Sequence, residues 1–209
     1  MTGIVKSVIS DREASPWGYS EVMAAKQMKD SAILAAAQQE FLKRGYRHTS
    51  IETIAQAAGI AKGTVYLYFE SKEAVFRAVS KQFISWFLGK AKEAAKSEGT
   101  VTERVTRVLE AKFGAVHAMT SRSPHGAELI DSSHGVSGEL YREADKAYVK
   151  VLASVLKKLD LVMSSSEAAW LLFRSAQGVE FTVEGEVSAN DVSKRLRQLA
   201  EVCVRGVTR

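Results

Sequence analysis

The side chains with the widest scope for metal or acid–base chemistry are histidines and carboxylates clustered between residues 117 and 134. They are His117, His125, Glu128, Asp131 and His134. A metal site on a helix commonly uses two histidines four residues apart, and this stretch contains no such pair. Ser132, Ser133 and His134 are adjacent in sequence, which does not build the geometry of a nucleophile and its base. We therefore expect no metal, no cofactor and no enzymatic activity.

The composition is typical of a helical globular protein. The 209 residues are 46% hydrophobic and 25% charged, which is enough for one or two domains with a sizeable core. Only two prolines occur, and helix-forming residues fill the long stretches between glycines, so we predict an all-α fold. The net charge of +5 permits an acidic partner such as nucleic acid without requiring one.

Cysteine usage and hydropathy indicate a cytoplasmic protein. The single cysteine, Cys203, is expected to be a small apolar residue on a helix, in a reducing compartment. No apolar run approaches the roughly 18 residues of a membrane helix, and the charged segment from Met1 to Glu13 is unlike a secretory signal. We expect a cytoplasmic protein with no membrane segment.

Helical periodicity and glycine stops divide the chain into three parts. We predict an arm over residues 1–24, a small helical domain over 25–72 and a larger helical domain over 73–209. The first predicted helix ends at Gly45, and a long helix beginning after Ser71 joins the two domains. Further helices are predicted over 101–120, 125–132, 137–159, 165–184 and 189–206.

Two short helices joined through Gly59 form the most informative pattern. The first covers about Ile51 to Ala58 and the second about Lys62 to Tyr68, which leaves Thr64, Leu67 and Tyr68 on an outward face. A helix pair of this kind, packed under a longer first helix, is a helix-turn-helix whose second helix suits the DNA major groove. Short helix pairs also occur in purely structural α domains, so the spacing leaves both interpretations open.

The residues around this pair favour the first interpretation. Residues 32–73 closely resemble the DNA-binding domain of the TetR family of transcriptional regulators. The match includes Ala35-Ala36-Ala37, Gly45-Tyr46, Thr49-Ser50-Ile51, Ala58-Gly59-Ile60, Lys62-Gly63-Thr64-Val65-Tyr66 and Ser71-Lys72-Glu73. The rest of the chain is similar to the family only in its helical architecture.

The resemblance implies a set of DNA-binding residues, namely Thr49, Ser50, Lys62, Gly63, Thr64, Tyr66, Tyr68 and Lys72. Lysine neutralises phosphate, a glycine lets the helix approach the DNA backbone, and Thr64 can touch a base edge or a thymine methyl group. The two tyrosines have an alternative role in packing, and Lys72 an alternative as a solvated charge. Ala61 departs from the Ser or Thr of many relatives, so base preference does not transfer.

Aromatic side chains in the larger domain suggest a binding site for a small molecule. The candidate ligand-binding residues are Phe113, His117, Tyr148, Phe173, Gln177 and Phe181. Aromatic residues at helical spacing are also ordinary core, and that alternative stays open. Gln177 is the candidate polar anchor, because it lies one helical turn from both Phe173 and Phe181.

The last two predicted helices each carry an apolar stripe. Val192, Leu196, Leu199 and Cys203 are spaced by four, three and four residues, and Ala169, Leu172 and Ala176 repeat similarly. The stripes suit either a dimer interface or packing within the chain. The resemblance favours a homodimer through the helices at 165–184 and 189–206, which would match a pseudo-palindromic operator in double-stranded DNA.

We therefore expect a sequence-specific DNA-binding regulator, in the form of a repressor whose operator binding is relieved by an apolar or aromatic effector. The long helix after Ser71 is the expected lever between the two domains. Two alternatives remain at this point. One is a small-molecule-binding protein or enzyme with a vestigial helix-turn-helix, and the other is a DNA-binding regulator without an effector.

Overall fold

The computed structural model describes residues 19–130, 135–179 and 188–209, with side chains from residue 28, and the regular elements in these ranges are helices. The predicted all-α fold is confirmed. Residues 1–18 of the predicted arm and residue Phe181 lie outside the described residues. The helices are α1 (Tyr19–His48), α2 (Ile51–Ala57), α3 (Lys62–Tyr66), α4 (Lys72–Lys96), α5 (Val101–Leu109), α6 (Ala115–Thr120), α7 (Gly126–Ile130), α8 (Gly138–Leu156), α9 (Ser165–Val179) and α10 (Ala189–Val207).

A small core holds α1, α2 and α3 together. Ile33 and Phe41 of α1, Ile54 of α2 and Val65 of α3 are buried against Phe76 near the start of α4. The first two turns of α4 therefore belong to the small core, and Leu129 of α7 packs against it from the larger domain. Gly45 has a φ of 77°, which breaks α1 where the sequence predicts its end.

The larger core is formed by α4, α5, α8, α9 and α10. Between α5 and α6 the backbone makes a π-helical turn over Glu110–Gly114, where the sequence predicts one unbroken helix. The extra residue in such a turn rotates the side chains that follow it. Here Lys112 and Phe113 of the turn are both directed into the core, with Lys112 only 8% exposed.

The helix α4 contributes to both cores. Val75 and Val79 are buried in the small one, and Phe87 and Ala91 are buried in the larger one. This agrees with its expected position as a link between the two domains. Trp86, one residue before the buried Phe87, remains 51% exposed.

The apolar stripes of α9 and α10 pack within the chain. Leu172 and Ala176 of α9 are buried with Val192 and Leu196 of α10 in the larger core. These stripes are therefore not the surface on which a second copy would pack, and the intramolecular alternative is the correct one for them. The outward faces of the two helices instead expose Trp170, Leu171 and Val202.

Candidate DNA interface

The turn between α2 and α3 is fixed by hydrogen bonds at both ends of α2. At its start the Ser50 hydroxyl accepts from the Thr53 amide at 3.1 Å, and the Thr53 hydroxyl accepts from the Ser50 amide at 3.0 Å. At its end the amides of Gly59 and Ile60 donate to the carbonyls of Gln56 and Ala55. Gly59 adopts a φ of 67°, as the residue after a helix does in this motif.

The reciprocal pair of hydrogen bonds between Ser50 and Thr53 is a capping box without an acidic residue. A capping box normally uses Glu or Gln at the third helical position, and here the Thr53 hydroxyl serves instead. The backbone amide and the side-chain hydroxyl of Ser50, a residue that the resemblance assigns to DNA binding, both hydrogen-bond to Thr53. Ser50 nevertheless remains exposed on the surface of the domain.

The helix α3 is anchored on one side and exposed on the other. Val65 is fully buried and fixes the helix against α1 and α2. On the outward side Gly63 is exposed, Tyr66 is 49% exposed and Leu67 is 81% exposed. This face contributes little to the small core, which leaves its side chains available to a partner.

Three other predicted residues of this region occupy distinct positions. Thr64 is half-buried, and Tyr68 packs against the small core, in line with the packing role left open for it. Lys62 is exposed and pairs with Glu52 of α2 at 3.3 Å. An exposed pair of this kind is weak, so the Lys62 ammonium can exchange Glu52 for a phosphate at small cost.

Thr49 is placed differently from its predicted role. Its side chain is 2% exposed, and its hydroxyl donates to the Gly45 carbonyl at 2.8 Å. In the free protein Thr49 therefore closes the end of α1 and positions the start of α2, and its contact with DNA stays a prediction. The local signal for this was the preceding Gly45, since a helix end leaves carbonyls that need donors.

Lys72 also supports the end of α1. Its ammonium donates to the Tyr46 carbonyl at 2.8 Å and lies 4.4 Å from the centre of the Tyr46 ring. In this position the charge stabilises a helix C-terminus, so a role in contacting DNA requires it to leave or share these partners. The DNA-binding role of Lys72 stays a prediction.

Two further basic residues, Arg47 and His48, were missed in the sequence. Both are exposed in the last turn of α1, and the Arg47 carbonyl lies within 3.5 Å of the Lys72 ammonium. Arg47 and Lys62 thus add exposed positive charge to the surface of this domain. A protruding helix with flanking cations has the components of major-groove recognition, namely side chains for bases and cations for phosphates.

A carboxylate on α7 joins the larger domain to the end of α1. Glu128 accepts from the Tyr46 amide at 2.8 Å and from His125 at 2.9 Å. Burial opposes its ionisation, but these two donors outweigh burial and hold the pKa of Glu128 below its usual value. His125, a residue considered for metal binding, therefore serves here as a partner of Glu128.

We expect Glu128→Gln to destabilise the protein more at pH 7 than at acidic pH. A carboxylate with a lowered folded-state pKa stabilises above its unfolded value of about 4.3, and this contribution is lost as pH falls through the folded value. Because Glu128 is partly exposed, the difference should stay below about 1 kcal/mol. Urea unfolding of both proteins at pH 7 and near pH 3.5 measures it, and a pH-independent difference would argue against the ionised contact.

The predicted ligand-binding aromatics form a packed cluster around a lysine of the chain itself. Phe113, Tyr148 and Phe173 are buried and contact one another. The Lys112 ammonium lies 4.8 Å from the ring centre of Phe173 and 5.5 Å from that of Tyr148. It also pairs with Asp145 of α8. These rings thus enclose an internal cation, and their role toward an external ligand stays a prediction.

The two polar ligand candidates lie apart from this cluster's centre. Gln177 is half-buried on α9, and its amide oxygen accepts from Arg174 at 3.0 Å. His117 is half-buried on α6.

Within the described ranges no helix is long and apolar enough to cross a membrane.

The fold and the α2–α3 geometry define a helix-turn-helix domain of the DNA-binding type. Residues 33–79 match the model of bacterial regulatory proteins of the tetR family. The match covers the residues that carry the resemblance in the sequence, and the resemblance of this domain to the family is confirmed.

Relatives agree with this assignment over the same part of the chain. The chain is 32% identical over 91 residues to a fatty acid metabolism regulator protein of Bacillus subtilis, covering 44% of this chain and 47% of that protein. It is 31% identical over 84 residues to the HTH-type transcriptional repressor KstR2 of Mycolicibacterium smegmatis, covering 40% and 41%. The chain thus spans about half or less of the length of these relatives.

The likeness in fold extends further than the likeness in sequence. The crystal structure of the regulator FadR from Bacillus subtilis, in complex with stearoyl-CoA, superposes with a TM-score of 0.65 at 21% identity. It covers 85% of this chain and 98% of that one. The larger helical domain therefore has the fold found in such regulators.

Proposed function

We propose that the protein is a cytoplasmic transcriptional repressor that binds a DNA operator through α3 and releases it when a small molecule binds. The exposed face of α3 carries this proposal. Tyr66 and Leu67 are large side chains held in solvent on a helix that Val65 fixes rigidly from behind. Exposed aromatic and apolar groups on a rigid helix, flanked by cations, suit the major groove. Similarity to a named repressor supports repression over activation.

We further propose that the repressor acts as a homodimer through α9 and α10. Their outward faces hold Trp170, Leu171 and Val202, which are exposed apolar side chains on neighbouring helices. Packing the same two helices from a second copy would cover these side chains in a four-helix arrangement. The two α3 helices would then contact half-sites about one helical turn of DNA apart.

The proposed regulation is a coupling between an effector and the spacing of the two α3 helices. A ligand that prefers a spacing unsuited to the operator lowers DNA affinity by the same factor by which DNA lowers ligand affinity. The contacts of the aromatic rings with one another and with Lys112 favour a regulator without an effector at this cluster. A different cleft, lined by α1, α4 and α6, supplies space for one.

We expect Gly63→Ala to weaken operator binding by about 1 kcal/mol or more while leaving the fold intact, because α3 should approach the DNA backbone closely at this residue. In the free protein, a Cβ added at position 63 would have no other atom within 4 Å, apart from its chain neighbours and the backbone of its own helix. Alanine also favours helix over glycine, so stability should not fall.

Gly89→Ala is the matched control for this variant. Gly89 is also helical, with no such atom within 4 Å of an added Cβ, and it lies in the part of α4 that packs on the larger core. Fluorescence anisotropy with an operator duplex measures affinity, and urea unfolding measures stability. Equal operator affinity in both variants and the parent would contradict the close approach of α3 to DNA.

A further inference from the structure

A cleft of about 960 Å³ lies between the two domains. Its walls come from α1 of the small domain, from α4, and from α6 with the loop that follows it. The volume lies in the range of sites that hold drug-sized ligands. Because both domains line the cleft, a molecule bound there would contact both.

The walls of the cleft are mainly apolar. Leu42 of α1, Phe83 and Trp86 of α4, and Met119 of α6 contribute side chains to it. Trp86 stacks on Phe83 with ring centres 6.1 Å apart and keeps about half of its surface exposed. An indole held open in a concave apolar surface is a favourable contact for a hydrocarbon chain or a ring.

The charges of the cleft have one sign. Among the described residues that line it, Lys43 and Arg122 are cationic and none is a carboxylate. Neither cation has a hydrogen bond or an ion pair to another residue in the described part of the chain. Both are exposed, so the apolar walls are bordered by positive charge that an anionic head group would neutralise.

We propose that this cleft binds an amphiphile with one extended apolar chain and an anionic head group, and that this molecule is the effector. The inference rests on the proposed function for its regulatory part only. Neutral hydrophobic molecules would leave the two cations unpaired, and cationic ones would be repelled by them.

The position of the cleft explains how binding of such a ligand would affect the DNA-binding surface. The Ser123 hydroxyl, at the wall of the cleft, donates to the Leu42 carbonyl of α1. A few residues further on, Glu128 holds the Tyr46 amide near the end of α1. A chain inserted beside Leu42 would press on the contact between these elements and change the angle of α1, which carries α2 and α3 with it.

Calorimetric titration of the full chain with dodecanoate, below its micelle concentration and without DNA, tests the binding site. We expect one bound molecule per chain and at least about tenfold tighter binding than 1-dodecanol or dodecylammonium. Dodecyl phosphate distinguishes a general anion site from a carboxylate site. Equal binding of dodecanoate and dodecanol to the parent protein would overturn the proposal.

Two double variants locate the site. Lys43→Gln/Arg122→Gln should abolish the preference for the anion, whereas Lys29→Gln/Lys81→Gln removes the same net charge from exposed positions outside the cleft and should retain it. Ala118→Trp on α6 should block dodecanoate and dodecanol alike. If Lys43→Gln/Arg122→Gln or Ala118→Trp gives the same titrations as the parent protein, the proposal that the ligand binds in this cleft is overturned. A change of sedimentation mass in Ala118→Trp would assign the cleft to a second copy, which also overturns it.

A separate measurement of operator affinity tests the proposed role of the ligand as effector. Dodecanoate should lower operator affinity at least fivefold in the parent and not in Lys43→Gln/Arg122→Gln, within the usual range of coupling between sites. Binding in the cleft without any effect on DNA affinity would overturn the proposed effector role. The proposal that the cleft is a binding site would still stand. A protein that binds dodecanoate in the cleft but no operator would disprove the proposed function and not the binding site.

Discussion

Tyr66→Ala is expected to reduce operator affinity by about 1 to 3 kcal/mol, which is roughly tenfold to more than a hundredfold. The side chain is half exposed on the outer face of α3, so its removal takes away a DNA contact and little of the core. The free energy of unfolding should therefore change by less than about 0.5 kcal/mol. Anisotropy titrations at near-physiological salt, with the operator and an unrelated duplex, give the specific part of the loss.

Tyr66→Phe distinguishes the hydroxyl from the ring. If the phenol donates to a phosphate, Tyr66→Phe should weaken binding to the operator and to the unrelated duplex by a similar factor, because phosphate contacts carry no sequence information. If the ring reads a base step, Tyr66→Phe should bind like the parent while Tyr66→Ala loses operator preference. Parental affinity in both variants would show that α3 does not face DNA with this surface.

Lys112→Ala is expected to lower the free energy of unfolding by about 3 kcal/mol or more. The substitution removes a buried cation from among the rings of the larger core and leaves Asp145 unpaired where little water reaches it. Removing one partner of a buried ion pair costs about 3 to 5 kcal/mol, because the remaining charge stays desolvated. Urea unfolding followed by circular dichroism measures the loss.

Removing both charges should restore much of the stability. Lys112→Met/Asp145→Leu replaces the pair by apolar side chains of similar length, and such replacements are often neutral or stabilising. Lys146→Ala is the matched control, since its pair with Glu143 is exposed and should contribute little. A loss in Lys112→Ala no larger than that in Lys146→Ala would show that the buried pair does not stabilise the larger core.

Much of the small domain could be predicted from the sequence because its signals are local. Gly45 and Gly59 mark helix ends that require a positive φ, and both adopt one. Ser71 caps α4 through its hydroxyl, as its position before an apolar helix predicts. Val65 and Ile54 are buried at the positions that helical spacing assigns to the core.

Other features depended on contacts distant in sequence and could not be predicted. The burial of Lys112 requires Asp145 on another helix and a π-helical turn, and neither has a local signal. The cleft beside Trp86 exists because α1, α4 and α6 meet there, and helical spacing within α4 does not show that this side chain lines a cleft. Similarly, an apolar stripe on α10 cannot show whether its neighbour is α9 or a second copy.

Selection of duplexes from a random DNA pool by the purified full chain, at near-physiological salt, tests whether the protein is a dimeric, sequence-specific DNA-binding regulator. We expect recovery of one pseudo-palindrome with half-sites about one helical turn apart, from a dimer that presents two α3 helices. Recovery of duplexes with no common sequence, bound with an affinity that follows salt concentration alone, would contradict it.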